Sequence, residues 1–155
     1  MLEKTIIAEG HDKIAAIILE TVVGANGVII YPEGYLQGVR DLCDKYGIFM
    51  ICDEVMAGFG RTGEWFAVQN WGVSPDMITF AKGVNSGYVQ LGGVIMNEKV
   101  ASHFDENVLG CGLTYQGHPL ACAAGYASMD YFEDRKSTRL NSSHEWISYA
   151  VFGLK

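Results

Sequence analysis

The residues YLQGVRDLCDKYGIFMICDEV, numbers 35–55, place a helical pattern directly before an uninterrupted apolar run. In the first part of this segment, apolar residues recur at steps of three and four, as they do along one face of a helix. Gly47 follows the last of them, and glycine readily adopts the left-handed conformation that ends many helices. Residues 48–52, IFMIC, are all apolar, which is typical of a strand covered on both faces. We therefore predict a helix over residues 35–46 and a strand over residues 48–52.

A similar order of helices and apolar runs continues on both sides of this segment. An apolar run over residues 14–19 ends at Glu20. We predict further helices at residues 2–9, 64–71 and 118–132, and further strands at residues 77–80 and 92–96. Helices that alternate with apolar strands indicate an α/β domain with a mainly parallel sheet flanked by helices.

The composition argues against several classes of protein. Of the 155 residues, 49% are hydrophobic, which is too apolar for a disordered chain. Acidic residues outnumber basic ones by 18 to 11, so the net charge of −7 would repel a phosphate backbone. No apolar run reaches the roughly 18 residues that span a membrane, and the cysteines lack a metal-binding spacing. We expect a cytoplasmic protein that has no metal site and binds neither nucleic acid nor membrane.

The composition changes after Glu133. Residues 134–144, DRKSTRLNSSH, are polar and basic in an otherwise acidic chain, which is typical of a flexible tail. A DNA sequence that encodes them, and also encodes residues 147–152, ISYAVF, resembles a common sequencing-library adapter. The adapter would encode cysteine where this chain has Gly153. We predict that residues 134–155 are a non-native tail translated from adapter DNA.

Two ionisable residues lie just beyond predicted strands. Asp53 follows the strand at residues 48–52, and Lys82 closely follows the strand at residues 77–80. Ligands of parallel α/β sheets bind beyond the carboxyl ends of the strands. Taken singly, Asp53 is typical of a helix cap and Lys82 of a solvated surface charge. Taken together, they are an amine that can form a Schiff base and a carboxylate that can keep a pyridine nitrogen protonated, the pair that pyridoxal phosphate requires.

A longer segment carries a family resemblance. The residues ICDEVMAGFGRTGEWFAVQNWGVSPDMITFAKGVNSGY, numbers 51–88, resemble the signature of class III pyridoxal-phosphate-dependent aminotransferases of fold type I. The segments AAIILETVVGANGVI and GLTYQGHPLACAAG follow the same family in order and spacing. The resemblance covers nearly everything from Leu2 to Glu133, and it implies the large domain of that fold.

The resemblance implies roles for four residues. Lys82 forms the Schiff base with pyridoxal phosphate and later moves a proton between the substrate carbon and the cofactor. Asp53 binds the pyridine nitrogen, and Val55 packs on one face of the ring. Thr114 matches a threonine that donates to the phosphate bound by the neighbouring subunit, which implies a homodimer. By residue type alone, Val55 is also typical of a core and Thr114 of a helix cap.

Fewer residues bear on the substrate. Glu20 matches an acid that pairs, in related enzymes, with an arginine that handles the substrate carboxylate; a surface acid is the alternative. Met56 stands where ornithine and 4-aminobutyrate enzymes carry glutamine, and VMAGFGRTG resembles taurine–pyruvate aminotransferases. The implied reaction is ping-pong transamination of a taurine-like ω-amino acid or primary amine with a 2-oxo acid such as pyruvate. An enzyme similar to glutamate-semialdehyde aminomutases is the alternative.

The chain is shorter than the enzymes it resembles. Those enzymes have a longer N-terminal part, which supplies the phosphate-binding loop, and a C-terminal domain that closes the substrate pocket. We therefore interpret residues 1–133 as a partial pyridoxal-phosphate-binding large domain. We expect the chain to show no transamination by itself, so that an inactive truncated fragment is a third interpretation.

Overall fold

The computed structural model describes the backbone of residues 1–139 and the side chains of residues 1–133. Its helices are α1 (Leu2–Glu9), α2 (Tyr35–Tyr46), α3 (Glu98–Ala101) and α4 (Pro119–Arg139). Its strands are β1 (Ala16–Glu20), β2 (Phe49–Asp53), β3 (Met77–Phe80) and β4 (Gly93–Met96). The predicted alternation of helices and strands is confirmed, and the fold is α/β.

The four strands form one sheet in the order β1-β2-β3-β4. β1, β2 and β3 run parallel to one another, whereas β4 runs antiparallel to β3. The predicted mainly parallel sheet is therefore confirmed, with one reversed edge strand. The reversal has a simple cause, because the only helix between β3 and β4 is the three-residue 3-10 turn Lys82–Val84. Parallel strands are usually joined by a crossover that contains an α-helix.

The helix and strand predicted from residues 35–55 are both present. α2 has the predicted bounds, and Gly47 ends it with a φ of 68° while its N–H donates to the carbonyl of Cys43. β2 begins and ends one residue later than predicted. Its residues alternate between half-buried and buried, with Met50 and Cys52 in the core. Asp53 consequently lies on the opposite face of the sheet from the core.

The main core lies between one face of the sheet and the helices α1 and α2. Its buried members come from both helices, from β2 and from the connections around them. They are Ile6, Leu36, Val39, Cys43, Ile48, Met50, Cys52, Val68 and Val73. This packing holds β2 in place, and with it the edge of the sheet that carries Asp53.

Two predictions of helix bounds were inaccurate. The helix expected at residues 64–71 is only the short 3-10 helix Ala67–Trp71. Its start is set by a tertiary contact, because the carboxylate of Glu54 accepts hydrogen bonds from the N–H groups of Ala67 and Val68. The last helix begins at Pro119 and runs on to Arg139, beyond the predicted end at residue 132.

The predicted adapter tail lies largely outside the described residues. The backbone of residues 134–139 continues α4, and residues 140–155 are not described. The origin of the tail therefore stays a prediction. Among the helices of residues 1–139, none has the length and apolar character needed to cross a membrane.

Candidate functional site

The candidate site lies where β2 and β3 end. Asp53 is paired in register with Thr79 of β3, and the N–H of Glu54 donates to the carbonyl of Thr79 across 2.9 Å. Lys82 follows Thr79 by three residues, just past the end of β3. Because the two strands are parallel, Asp53 and Lys82 reach the same carboxyl edge of the sheet.

The two carboxylate oxygens of Asp53 differ in their hydrogen bonds. Its Oδ1 accepts a hydrogen bond from the N–H of Val55 at 2.9 Å, which holds the carboxylate against the turn that follows β2. Within the described part of the chain, Oδ2 accepts no hydrogen bond. The half-buried Asp53 can therefore present Oδ2 to a donor on a ligand.

Lys82 is an exposed residue in an unusual backbone conformation. Its φ is 40°, which lies in the left-handed region. That conformation is strained for any residue other than glycine. The next residue, Gly83, approaches the preceding loop so closely that a Cβ there would lie 3.1 Å from Cβ of Phe59 and 3.3 Å from the carbonyl of Gly58. Among the residues described, none forms an ion pair or hydrogen bond with Lys82 Nζ. The amine is thus available to a ligand.

Val55 and Thr114 occupy different surroundings. Val55 is half-buried and sits in the turn that Asp53 closes, next to the same edge of the sheet. Thr114 is exposed at the start of a turn before α4. Its hydroxyl makes no hydrogen bond with any residue whose side chain is described. Val55 is therefore grouped with Asp53, whereas Thr114 is part of an exposed surface.

Glu20 lies beside Asp53 in the sheet. It is the last residue of β1 and is paired in register with Asp53. Its Oε2 accepts a hydrogen bond from the N–H of Gly24 at 2.8 Å, so the carboxylate closes the loop after β1. A Cβ at Gly24 would lie only 1.8 Å from Sδ of Met56, so a larger residue there would require the Met56 side chain to move. Glu20, Gly24 and Met56 together connect the loop after β1 to the turn after β2.

Glu54 is a residue of this edge that the sequence analysis missed. Its side chain is fully buried, although it is a carboxylate between two half-buried residues, Asp53 and Val55. The sequence signal for this burial is the two-residue alternation of strand side chains. Glu54 lies two residues after Cys52 and four after Met50, both of which are buried. An acid at a core position is rare unless it is paired with donors.

Asp76 is a second buried acid that the sequence analysis missed, and it lies at the opposite edge of the sheet, before β3. It accepts hydrogen bonds from Arg40 Nη1 and from the N–H of Met50, both at 2.8 Å, and from Asn97 Nδ2 at 3.2 Å. Burial raises the pKa of Asp76, but these hydrogen bonds and the charge of Arg40 outweigh it and hold the pKa below its ordinary value of 3.8. Asp76 thus stabilises the amino edge as an ionised group.

The residues at the carboxyl edge fit the cofactor that the resemblance implies. Asp53 Oδ2 is an available acceptor for a protonated ring nitrogen, and Lys82 Nζ is an available primary amine for an aldehyde. Val55 adds an apolar side chain next to the carboxylate. An acceptor, an amine and an apolar surface at one sheet edge are the groups with which a protein can bind a pyridine aldehyde.

Comparisons with known proteins agree on a family. The family model described as aminotransferase class-III matches residues 1–148. The adenosylmethionine-8-amino-7-oxononanoate aminotransferase of Nitratidesulfovibrio vulgaris is 41% identical over 141 residues, covering 88% of this chain and 26% of the relative. The putrescine–pyruvate aminotransferase of Pseudomonas aeruginosa is 40% identical, covering 87% of this chain and 30% of the relative.

Solved structures give the same result. The taurine:2-oxoglutarate aminotransferase from Bifidobacterium kashiwanohense, in complex with PLP and glutamate, is 60% identical with a TM-score of 0.85. The similarity covers 88% of this chain and 31% of that one. An (S)-enantioselective ω-transaminase from Thermomicrobium roseum is 47% identical with a TM-score of 0.83, over 87% of this chain and 31% of that one. The chain spans between 25% and 34% of the length of the curated relatives it matches.

Proposed function

Because the chain belongs to the class III aminotransferases, a family that uses pyridoxal phosphate, we propose that it carries the catalytic lysine and the ring-binding aspartate of a transaminase. The observation that carries this proposal is the parallel pairing of β2 and β3, which brings Asp53 and Lys82 to one edge of the sheet. The activity proposed is that of the whole enzyme that contains these residues.

Lys82 has two tasks in this proposal. When bound, pyridoxal phosphate supplies an electron sink for the negative charge that develops at the substrate carbon. Nζ of Lys82 would be the group that holds the cofactor by its aldehyde carbon, and a substrate amine would free this lysine to act as a base. The freed Nζ would accept the proton from the substrate carbon and hold it for its return. Its lack of a partner among the described residues supports both tasks, since no ion pair has to break.

Asp53 and Val55 would hold the ring. Asp53 Oδ2 accepts a hydrogen bond from the ring N–H and thereby keeps that nitrogen protonated, while Oδ1 stays fixed on the N–H of Val55. The side chain of Val55 packs on one face of the ring. Thr114, exposed on its turn, donates to a phosphate bound by a second copy, so that the full-length enzyme is a homodimer.

The substrates proposed are a primary amine, such as a taurine-like ω-amino acid, and a 2-oxo acid. The 60% identity to a taurine:2-oxoglutarate aminotransferase supports the donor, and a putrescine–pyruvate aminotransferase supports an amine donor more broadly. The acceptors of these relatives differ, so the proposal extends only to the class of 2-oxo acids, which includes pyruvate. We propose that Glu20, beside Asp53 in the sheet, pairs in the full-length enzyme with an arginine that handles the substrate carboxylate.

Reductive labelling tests the proposal. We expect that borohydride treatment of the full-length protein with pyridoxal phosphate will leave a cofactor adduct on Lys82, found by peptide mass mapping. Lys82→Ala should lose the adduct and lower transamination at least about 100-fold. Lys99→Ala, which removes another exposed lysine, should retain both. A protein that contains the cofactor but carries no adduct on Lys82 would refute the proposal, and amine transfer without any acceptor would point to an aminomutase.

The origin of residues 134–155 is proposed separately. Their likeness to translated adapter DNA supports a non-native tail, whereas the family match extends to residue 148. Amplification of the source genome across the codon for Glu133 decides between the two. A genomic sequence that continues into the same codons would show that the tail is native.

A further inference from the structure

The buried carboxylate of Glu54 lies between the two residues proposed to hold the cofactor ring. Its side chain is 0% exposed. Oε1 accepts hydrogen bonds from Thr21 Oγ1 at 2.7 Å and from the N–H of Val68 at 2.8 Å, and Oε2 accepts one from the N–H of Ala67 at 2.9 Å. Because this buried carboxylate already accepts three hydrogen bonds inside the protein, it is not itself a ligand for substrate.

The donors come from separate parts of the chain. Thr21 directly follows β1, whereas Ala67 and Val68 begin the 3-10 helix that precedes β3. The backbone of Glu54 adds two contacts, because its N–H donates to Thr79 of β3 and its carbonyl accepts from the N–H of Gly58, both at 2.9 Å. One residue thus connects the ends of three neighbouring strands.

The turn around Glu54 leaves little room for adjustment. A Cβ at Gly58 would lie 2.8 Å from the carbonyl oxygen of Glu54, so the chain must pass close to its own strand end here. Side chains in an extended segment alternate between the two faces. The fixed direction of the Glu54 side chain therefore constrains where Asp53, the last residue of β2, points and where the turn that begins at Val55 leaves the strand.

We propose that Glu54 is a positioning residue for the cofactor, one whose carboxylate holds Asp53 and Val55 in the geometry that binds the ring. The inference rests on the proposed function of those two residues. A glutamine at position 54 has nearly the same shape, but its amide N–H₂ would face at least one N–H or O–H donor. Relief of that repulsion rotates the segment, and the ring nitrogen loses its aligned acceptor.

Asp76 provides the comparison that separates positioning from stability alone. It is also a buried carboxylate with three donors, but it lies at the amino edge of the sheet, away from Asp53 and Lys82. Removal of its charge should destabilise the fold without altering the carboxyl edge. If only the change at Glu54 weakens cofactor binding, the cause is the position of Glu54 next to the site and not a general loss of stability.

The experiment uses Glu54→Gln and Asp76→Asn in the full-length protein, freed of cofactor and titrated with pyridoxal phosphate. We expect Glu54→Gln to raise the dissociation constant about tenfold, the equivalent of one hydrogen bond to a charged group, and to shift the pH dependence of the absorption spectrum of the bound cofactor. Asp76→Asn should lower the melting temperature but leave both binding readouts unchanged. Glu54→Asp keeps the charge and should restore part of the affinity.

The outcomes distinguish this inference from the proposed function. If the wild-type protein binds no pyridoxal phosphate, the proposed function fails and this inference fails with it. If the wild type binds the cofactor and Glu54→Gln binds it equally well, only this inference is overturned. Should Glu54→Gln fail to fold, Thr21→Val, which removes a single donor, takes its place, and an unchanged dissociation constant in that variant also overturns the inference.

Discussion

At the scale of single residues, four acids illustrate how position decides the role of one chemical group. Glu20 and Asp53 end neighbouring strands on the same face of the sheet, and each still has an oxygen that accepts no hydrogen bond within the described residues. Glu54 and Asp76 point into the interior, where each is held by donors from distant segments. Glu20 and Asp53 can therefore accept a hydrogen bond from a ligand. Glu54 and Asp76 instead stabilise the two edges of the sheet.

The buried Asp76 predicts a pH dependence of stability. Its folded pKa lies below the ordinary value of 3.8, so its ionised form stabilises the fold above that pH, and this contribution is lost as the pH falls through 3.8 towards the folded pKa. Asp76→Asn should lower the free energy of unfolding at neutral pH by about 1–3 kcal/mol and flatten its decline in acid. Urea denaturation at several pH values between neutrality and 3 measures both effects.

The control for this prediction is the other partner of Arg40. Asp44 pairs with Arg40 Nη2 at 2.7 Å, but its side chain is 64% exposed. Asp44→Asn should therefore cost less than about 1 kcal/mol. Equal losses in Asp44→Asn and Asp76→Asn would contradict the role given to the buried carboxylate.

At the scale of elements, α2 and β2 form the unit on which the site is built. α2 packs its buried face, which includes Leu36, Val39 and Cys43, against the core face of the sheet. β2 presents Met50 and Cys52 to that core and Asp53 to the opposite face. The helix therefore contributes to the site by holding β2 in place.

Truncation of the buried face of α2 tests this unit. Leu36→Ala should lower the free energy of unfolding by about 2–5 kcal/mol, because the side chain is almost fully buried and its loss leaves a cavity. Gln37→Ala, at the neighbouring exposed position, removes a surface hydrogen bond to Asp41 and should change stability by no more than about 0.5 kcal/mol. Chemical denaturation of both variants measures the difference. Similar losses of unfolding free energy would contradict the role of the buried face of α2 in the core.

At the scale of the whole molecule, the two faces of the sheet differ. α1 and α2 pack on one face, while Ile18, Ile51, Met77 and Met96 lie in register across the other. Ile18 is 62% exposed, so this apolar row is open at the β1 edge of the described sheet. An apolar row next to an unpaired strand edge favours association between chains.

Charged substitutions on the two faces test this difference in the chain of residues 1–155. Ile18→Lys should reduce self-association, measured by sedimentation, and change the free energy of unfolding by no more than about 0.5 kcal/mol. Ile17→Lys places the charge one residue earlier, on the face that packs against the core, and should lower that free energy by about 2–3 kcal/mol. Undiminished association of the Ile18→Lys chain would show that the open row is not the surface involved.

Much of the fold could be predicted from the sequence because its signals are local. The spacing of apolar residues predicted α2 with its observed bounds, and the run IFMIC predicted β2 to within one residue. The helix at residues 64–71 was wrong in length because a distant carboxylate, that of Glu54, sets its start. The direction of β4 was not predicted, because it depends on a connection that forms no crossover α-helix.

By itself, the sequence determined the alternation of helices and strands, the family, and the position of Asp53 and Lys82 just past two strands, since each is a property of neighbouring residues. Only the tertiary structure decided that those strands pair in parallel, that Oδ2 of Asp53 accepts no hydrogen bond within the described residues, and that Glu54 points inward. The reason is physical. The partners of Glu54 lie 13, 14 and 33 residues away along the chain, and a buried charge takes its direction from the donors that surround it.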